Sequence, residues 1–156
     1  MAQCPHSASV RARDHGDGQT IAVTADAADR SGRTPLHYAA LQGTAEQVRS
    51  LLLDGADIAA VDKQGFTPLH LACRQYRPDI VEVLVDAGAP IDALDAWGNT
   101  PLFRAVFNAN ADPCIVRRLV AAGADPDKPN ASGRTPRELA DAIASYDTSQ
   151  YFDGRG

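Results

Sequence analysis

The sequence has few aromatic residues, few cysteines and no long apolar run. Aromatic side chains make up 6% of the 156 residues, and there is a single Trp. The three cysteines (Cys4, Cys73 and Cys114) form no Cys-x-x-Cys pair, which argues against a disulfide scaffold and favours a reduced, cytoplasmic protein. No segment approaches the roughly 20 apolar residues of a membrane span. We therefore expect no membrane partner.

An excess of basic charge is also absent. The chain holds 15 Lys and Arg against 20 Asp and Glu, a formal charge of -5, which argues against binding to the phosphates of a nucleic acid. The glycine-rich patterns G-x-x-x-x-G-K and G-x-G-x-x-G do not occur either. The sequence therefore predicts neither a nucleic-acid partner nor a nucleotide cofactor.

An internal period dominates what remains. The tetrapeptide that begins at Thr34, Thr-Pro-Leu-His, recurs at Thr67 and, with Phe in place of His, at Thr100, while a weaker copy begins at Thr135. These threonines lie 33, 33 and 35 residues apart, and each follows an Asp or Asn by five residues and a Gly by two. A fixed period of this length is typical of a stacked repeat protein.

Each marker in the period has a local physical role. An Asx residue followed by Gly favours a tight turn, Thr is a good N-cap and Pro is a favoured first helical residue. Four first helices are therefore predicted, at 34–42, 67–75, 100–108 and 135–144. Four second helices are predicted to begin after Thr44, Arg77, Asp112 and Ser145, and the first three of these to end at Gly55, Gly88 and Gly123.

These motifs resemble the ankyrin-repeat family, whose signature is Thr-Pro-Leu-His-x-Ala with a period of 33. The resemblance implies an all-α solenoid of about four helix-turn-helix repeats joined by β-turn loops. The repeats would span 29–61, 62–94, 95–129 and 130–156, inside one domain over 21–156. Residues 1–20 carry almost no apolar periodicity and are predicted to be a mobile N-terminal tail.

The histidines are the most tempting catalytic candidates, but they favour a structural role. His37 and His70 occupy the same repeat position, and the family resemblance implies that this His bonds a neighbouring turn and ties one repeat to the next. Cys4, His6 and His15 have no known zinc spacing. We therefore expect no enzyme activity, no cofactor and no metal.

The remaining candidate is a surface. The resemblance implies that a partner protein docks on the concave side, built from turn tips and exposed first-helix positions. Because basic and aromatic residues collect there, the partner is expected to be acidic, with Trp97 as the anchor. Packing of Trp97 on an adjacent turn is the alternative. The candidate contact residues are Arg30, Arg33, Lys63, Phe66, Arg74, Trp97, Asn99, Arg104, Phe107 and Asn108.

The sequence thus predicts a non-catalytic protein-binding module that is a monomer when free. The ending around Glu138, Tyr146 and Phe152 resembles the last repeat of small bacterial ankyrin proteins, some of which are immunity proteins that neutralise a toxin. A chain with no appended effector domain suits a stoichiometric inhibitor of this kind. The alternative is a scaffold or regulator of an endogenous cytoplasmic enzyme.

Overall fold

The computed structural model describes residues 27–108 and 114–143, in which seven helices and no strand occur. The predicted tail and the helix predicted after Ser145 lie outside these ranges. The fold is an all-helical repeat solenoid, as the sequence predicts. Its helices are α1 (Pro35–Gln42), α2 (Ala45–Leu53), α3 (Pro68–Arg74), α4 (Pro78–Asp86), α5 (Pro101–Phe107), α6 (Cys114–Ala121) and α7 (Pro136–Ala142).

The threonine and proline markers start the first helices where the sequence places them. The Oγ1 atoms of Thr67, Thr100 and Thr135 accept hydrogen bonds from the third helical N–H at 3.2, 3.1 and 3.0 Å. The second helices α2 and α4 end at Leu53 and Asp86, two residues before Gly55 and Gly88. The φ angles of these glycines, +95° and +93°, are open without strain to glycine alone. The predicted starts of the four first helices are confirmed to within one residue, whereas α3, α5 and α7 end one or two residues earlier than predicted.

The helices stack in two layers. First helices pack in the order α1, α3, α5 and α7, second helices pack in the order α2, α4 and α6, and each pair packs internally. Equivalent apolar side chains fill the space between repeats, among them Leu84 and Leu119, both fully buried. Cys73 is also fully buried, as expected for a small core residue, and this burial raises the pKa of its thiol.

The turns between repeats are held by their own Asx side chains. Asp62 Oδ1 accepts from the backbone N–H groups of Gln64 and Phe66, both at 2.9 Å. Asp95 makes the same two bonds, to Trp97 at 2.9 Å and Asn99 at 3.0 Å. The turns are therefore compact units whose shape is set by residues within them.

A row of main-chain hydrogen bonds joins each turn to the next. Lys63 N–H donates to the Ser31 carbonyl at 2.9 Å, and Ala96 N–H donates to the Gln64 carbonyl at 2.9 Å. Ala131 N–H continues the row by donating to the Trp97 carbonyl at 3.0 Å. The turn tips consequently form one continuous platform across all four repeats.

Two buried histidines tie the turns to the helices. His37 Nε2 lies 2.9 Å from the Phe66 carbonyl oxygen of the following repeat, while its Nδ1 accepts the Thr34 N–H at 3.0 Å. His70 repeats the pattern, with Nε2 2.9 Å from the Asn99 carbonyl oxygen. Since Nδ1 is the acceptor, Nε2 carries the proton and donates across the repeat boundary.

We expect both histidines to make the fold sensitive to mild acid. Burial lowers the pKa of His37 and His70, so the unfolded chain binds more protons than the folded chain as pH falls. Their contribution to stability is full above about pH 6.5, the ordinary value for histidine, and is lost progressively below it. At pH 7.5, His37→Ala and His70→Ala should each lower the free energy of unfolding by about 1 to 3 kcal/mol.

The measurement is urea unfolding of the wild type and both variants at pH 7.5 and 5.5. The variants should lose less stability on acidification than the wild type, because each lacks one group that must be protonated. Equal losses in all three proteins would contradict the assignment.

Matched glycines test how closely the turns approach each other. Gly65 and Gly88 both have positive φ angles, +79° and +93°. A Cβ on Gly65 would lie 2.8 Å from the backbone nitrogen of Ala96, whereas a Cβ on Gly88 would meet nothing within 4 Å. Gly88→Ala should therefore destabilise by about 1 to 2 kcal/mol through φ alone. Gly65→Ala should destabilise the fold by at least about 1 kcal/mol more than Gly88→Ala, because its Cβ overpacks the next turn. Equal urea midpoints for the two variants would show that the turns are not in close contact.

Candidate functional site

Two aromatic rings and two guanidinium groups form a cluster at the centre of the array, which we call the aromatic cluster: Phe66, Arg74, Trp97 and Arg104. The ring centroids of Phe66 and Trp97 are 5.9 Å apart. The Cζ atom of Arg104 lies 5.2 Å from the Phe66 centroid and 5.5 Å from the Trp97 centroid. Arg74 Cζ lies 5.5 Å from the Phe66 centroid. These distances are those of cation–π contacts.

The repeat geometry brings these four residues together from four different places along the chain. Trp97 lies in the third turn, Phe66 follows the second turn, Arg74 ends α3 and Arg104 lies within α5. The hydrogen bond from Ala96 to Gln64 sets the second and third turns side by side. The cluster is thus assembled by stacking, not by nearness along the chain.

Arg104 is held in place by a buried carboxylate. Its Nη2 and Nε lie 2.7 and 2.9 Å from Asp95 Oδ2, and the Asp95 side chain is fully buried. Asp62 Oδ2 likewise pairs with Arg33 Nε at 3.1 Å, and Asp29 Oδ2 accepts the Tyr38 hydroxyl. Each turn carboxylate therefore uses one oxygen to close its turn and the other to anchor a side chain.

The burial of two predicted contact residues corrects the sequence interpretation. Phe66 is only 3% exposed and Asn99 only 6%, so neither side chain is open to a partner. Both occupy the position after the turn glycine, where the side chain fills the space beside the next turn. Asn99 Oδ1, for example, accepts a hydrogen bond from Asn130 Nδ2 at 2.8 Å. These two residues support the surface from beneath.

Charge at the predicted site is also lower than the sequence implies. The sequence interpretation counted Arg33 and Arg104 as free basic groups, but both are paired with turn aspartates. Arg30, Lys63 and Arg74 are exposed and make no ion pair within 27–108 and 114–143. Among the predicted contact residues, these three side chains are therefore the unpaired bases.

Exposed aromatic residues flank these bases. Trp97 is 49% exposed and Phe107, the last residue of α5, is 64% exposed, while Asn108 beside it is half-buried. Arg74 and Phe107 are the last residues of α3 and α5 and lie 33 residues apart, so they occupy equivalent positions in adjacent repeats. We call the exposed surface formed by Arg30, Lys63, Arg74, Trp97 and Phe107 the turn face.

Sequence reasoning missed a row of exposed aliphatic residues along the edge of the turn face. Val61 and Leu94 are 54% and 48% exposed, and each directly precedes the aspartate of its turn. Ala28 and Pro129 hold the same position in the outer repeats and are exposed as well. An apolar residue at one exposed position in every repeat is the signal that identifies this row.

The candidate catalytic and metal-binding groups of the described residues can be located one by one. No group of three or more His, Cys, Asp or Glu able to hold a metal ion occurs within them. Both described histidines are buried and bonded to backbone through both ring nitrogens.

Within the same residues, no helix is long and apolar enough to cross a membrane.

The stacked helix pairs, with their platform of turns, define a helical repeat solenoid that presents a binding surface. A family model described as ankyrin repeats, three copies, matches residues 12–95 and 36–130, and so most of the chain. The protein belongs to the ankyrin-repeat family, and its fold is that of a protein-protein interaction module. No match is found among curated proteins.

Arg104 and Arg74 provide a matched test of which guanidinium the fold requires. Arg104→Leu leaves the buried Asp95 oxygen without its cation and should lower the free energy of unfolding by about 2 kcal/mol. Arg74→Leu removes only a cation–π contact and should lower it by less than about 1 kcal/mol. Urea unfolding at pH 7 measures both, and similar losses for the two variants would refute the distinction.

Proposed function

We propose that the protein binds a second protein through the turn face, with Trp97 as the central anchor. The main observation in support is the position of Trp97. Its indole is half exposed, and it also contacts Phe66 and Arg104. A large aromatic side chain already fixed in position loses little conformational entropy on binding. Such residues dominate the binding energy of protein interfaces.

Charge supports an acidic partner surface. Arg30, Lys63 and Arg74 lie in the first two repeats of the turn face, without ion-pair partners in the part of the chain that the structure describes. The chain as a whole carries a net charge of -5, so these bases stand out against an acidic background. An acidic patch on the partner would be steered toward this face and away from the rest of the molecule.

The resemblance of the chain ending to bacterial immunity proteins supports a more specific role. We propose a stoichiometric inhibitor, of the immunity type, that acts in the cytoplasm as a monomer and occludes a functional surface of a toxin. The alternative is a scaffold or regulator of an endogenous enzyme, which would bind through the same face. The two roles differ in what binding does to the partner's activity.

Replacing the anchor tests the binding surface. With a partner isolated by affinity capture from the source cell, Trp97→Ala should weaken binding by at least about 2 kcal/mol. Leu53→Ala is the matched control, because Leu53 is 88% exposed but lies at the end of α2, away from the turn face. It should bind as the wild type does. Titration calorimetry measures affinity, and melting curves on the same samples show whether the variants fold.

Lys63→Glu separates steering from anchoring. Reversal of an exposed rim charge should slow association and reduce its dependence on salt, with little change in dissociation rate.

Normal binding by Trp97→Ala would exclude the turn face as the docking surface. A partner whose activity falls to zero at a one-to-one ratio supports the inhibitor, whereas a partner that stays active in the complex supports the scaffold.

A further inference from the structure

Arg74 differs from the other arginines of the aromatic cluster and its surroundings. The guanidinium groups of Arg33 and Arg104 are occupied by turn carboxylates. Arg74 is exposed, rests on the Phe66 ring, and has no carboxylate partner within the described residues. Its Cζ atom lies 5.5 Å from the Phe66 centroid, and no carboxylate of the described residues occupies its hydrogen-bond donors.

The fold itself does not call for an arginine at this position. The equivalent residues are Leu41 in the first repeat and Phe107 in the third, and the helices that carry them begin and stack in the same way. Apolar side chains at this position are thus compatible with the same helix packing, so packing does not explain why repeat two has an arginine here. Binding to a partner explains the arginine better.

We propose that Arg74 is the receptor for a carboxylate of the partner protein, an Asp or Glu that lies next to an aromatic or aliphatic residue. A guanidinium that contacts an aromatic ring keeps its N–H donors, which can bind both oxygens of a carboxylate. This inference rests on the proposed function, because it names the partner group that the turn face recognises.

The surroundings of Arg74 explain why the acidic residue must have an apolar neighbour. Phe107 is exposed at the equivalent position of the next repeat, and the exposed ring of Trp97 has its centroid 5.9 Å from that of Phe66, the ring that Arg74 contacts. Two exposed aromatic side chains therefore share the turn face with Arg74. Asp62 and Asp95 do not repel it, because both are buried and each is paired with an arginine.

Selection from a library of random 12-residue peptides displayed on phage tests this proposal on the full chain. The enriched peptides should contain Asp or Glu within two residues of an aromatic or aliphatic residue. Trp97 is the single Trp, so its fluorescence reports binding of a synthetic peptide at this site directly. The peptide with Glu or Asp changed to Gln or Asn is the matched ligand control.

A double-mutant cycle then pairs Arg74 with the peptide carboxylate. Arg74→Gln should weaken the acidic peptide at least tenfold and the amide peptide less than twofold, while Arg74→Lys should retain part of the affinity. Arg49→Gln is the matched protein control, because Arg49 is an exposed arginine on α2 that belongs neither to the turn face nor to the aromatic cluster. It should change either affinity less than twofold.

The outcomes distinguish this inference from the function on which it rests. Enriched peptides without acidic residues, or an acidic peptide that Arg74→Gln binds normally, would overturn the carboxylate receptor while leaving Trp97-dependent binding intact. No peptide binding, or binding unaffected by Trp97→Ala, would count against both proposals. Competition by a single-stranded oligonucleotide at equal strength would show that the site recognises phosphate and would also overturn the inference.

Discussion

The hydrogen bond from a buried histidine to the carbonyl of the next turn is the interaction on which the stack depends. The Phe66 and Asn99 carbonyl groups each accept one main-chain hydrogen bond within their own turn, from Asp62 and Asp95 at 3.1 Å. The Nε2 groups of His37 and His70 donate a second bond to the same carbonyls at 2.9 Å. Without the neighbouring repeat, a buried histidine N–H would have no acceptor, which is destabilising. Phe103 replaces this histidine in the third repeat, where the Asn99–Asn130 side-chain bond and the Ala131 main-chain bond connect the last two turns. The third boundary is therefore held differently from the first two.

The same constraints decide which side chains remain for binding. Every turn aspartate closes its own turn with one oxygen and fixes a neighbouring side chain with the other, so Arg33 and Arg104 become part of the framework. Trp97 and Arg74 then rest on Phe66 without being enclosed by it. Because the framework beneath them is hydrogen-bonded from turn to turn, the exposed groups occupy fixed positions before a partner arrives. Pre-organisation of this kind reduces the entropy lost on binding.

Local chemistry explains why much of the fold could be predicted from the sequence. Thr and Pro start the helices, Gly ends them, and Asx and Gly shape the turns within a few residues, so their positions follow from sequence alone. The geometry of the site was harder to predict from the sequence, because its contacts join residues that are far apart in the chain. The Arg33–Asp62 pair is 29 residues apart, and Phe66 is covered by Trp97 from the next repeat. Exposure of Trp97 and Phe107 was predicted, whereas burial of Phe66 and Asn99 needed the stacked structure.

The central claim is that the turns form one rigid platform across the repeats. Amide hydrogen exchange of Lys63, Ala96 and Ala131, measured residue by residue by NMR, tests it most directly, because each of these N–H groups donates to the preceding turn. Exchange as slow as that of the buried Leu71 amide, which donates to the carbonyl of Thr67 at the start of α3, is the result we predict. Exchange at the rate of an exposed loop at all three positions would contradict the account.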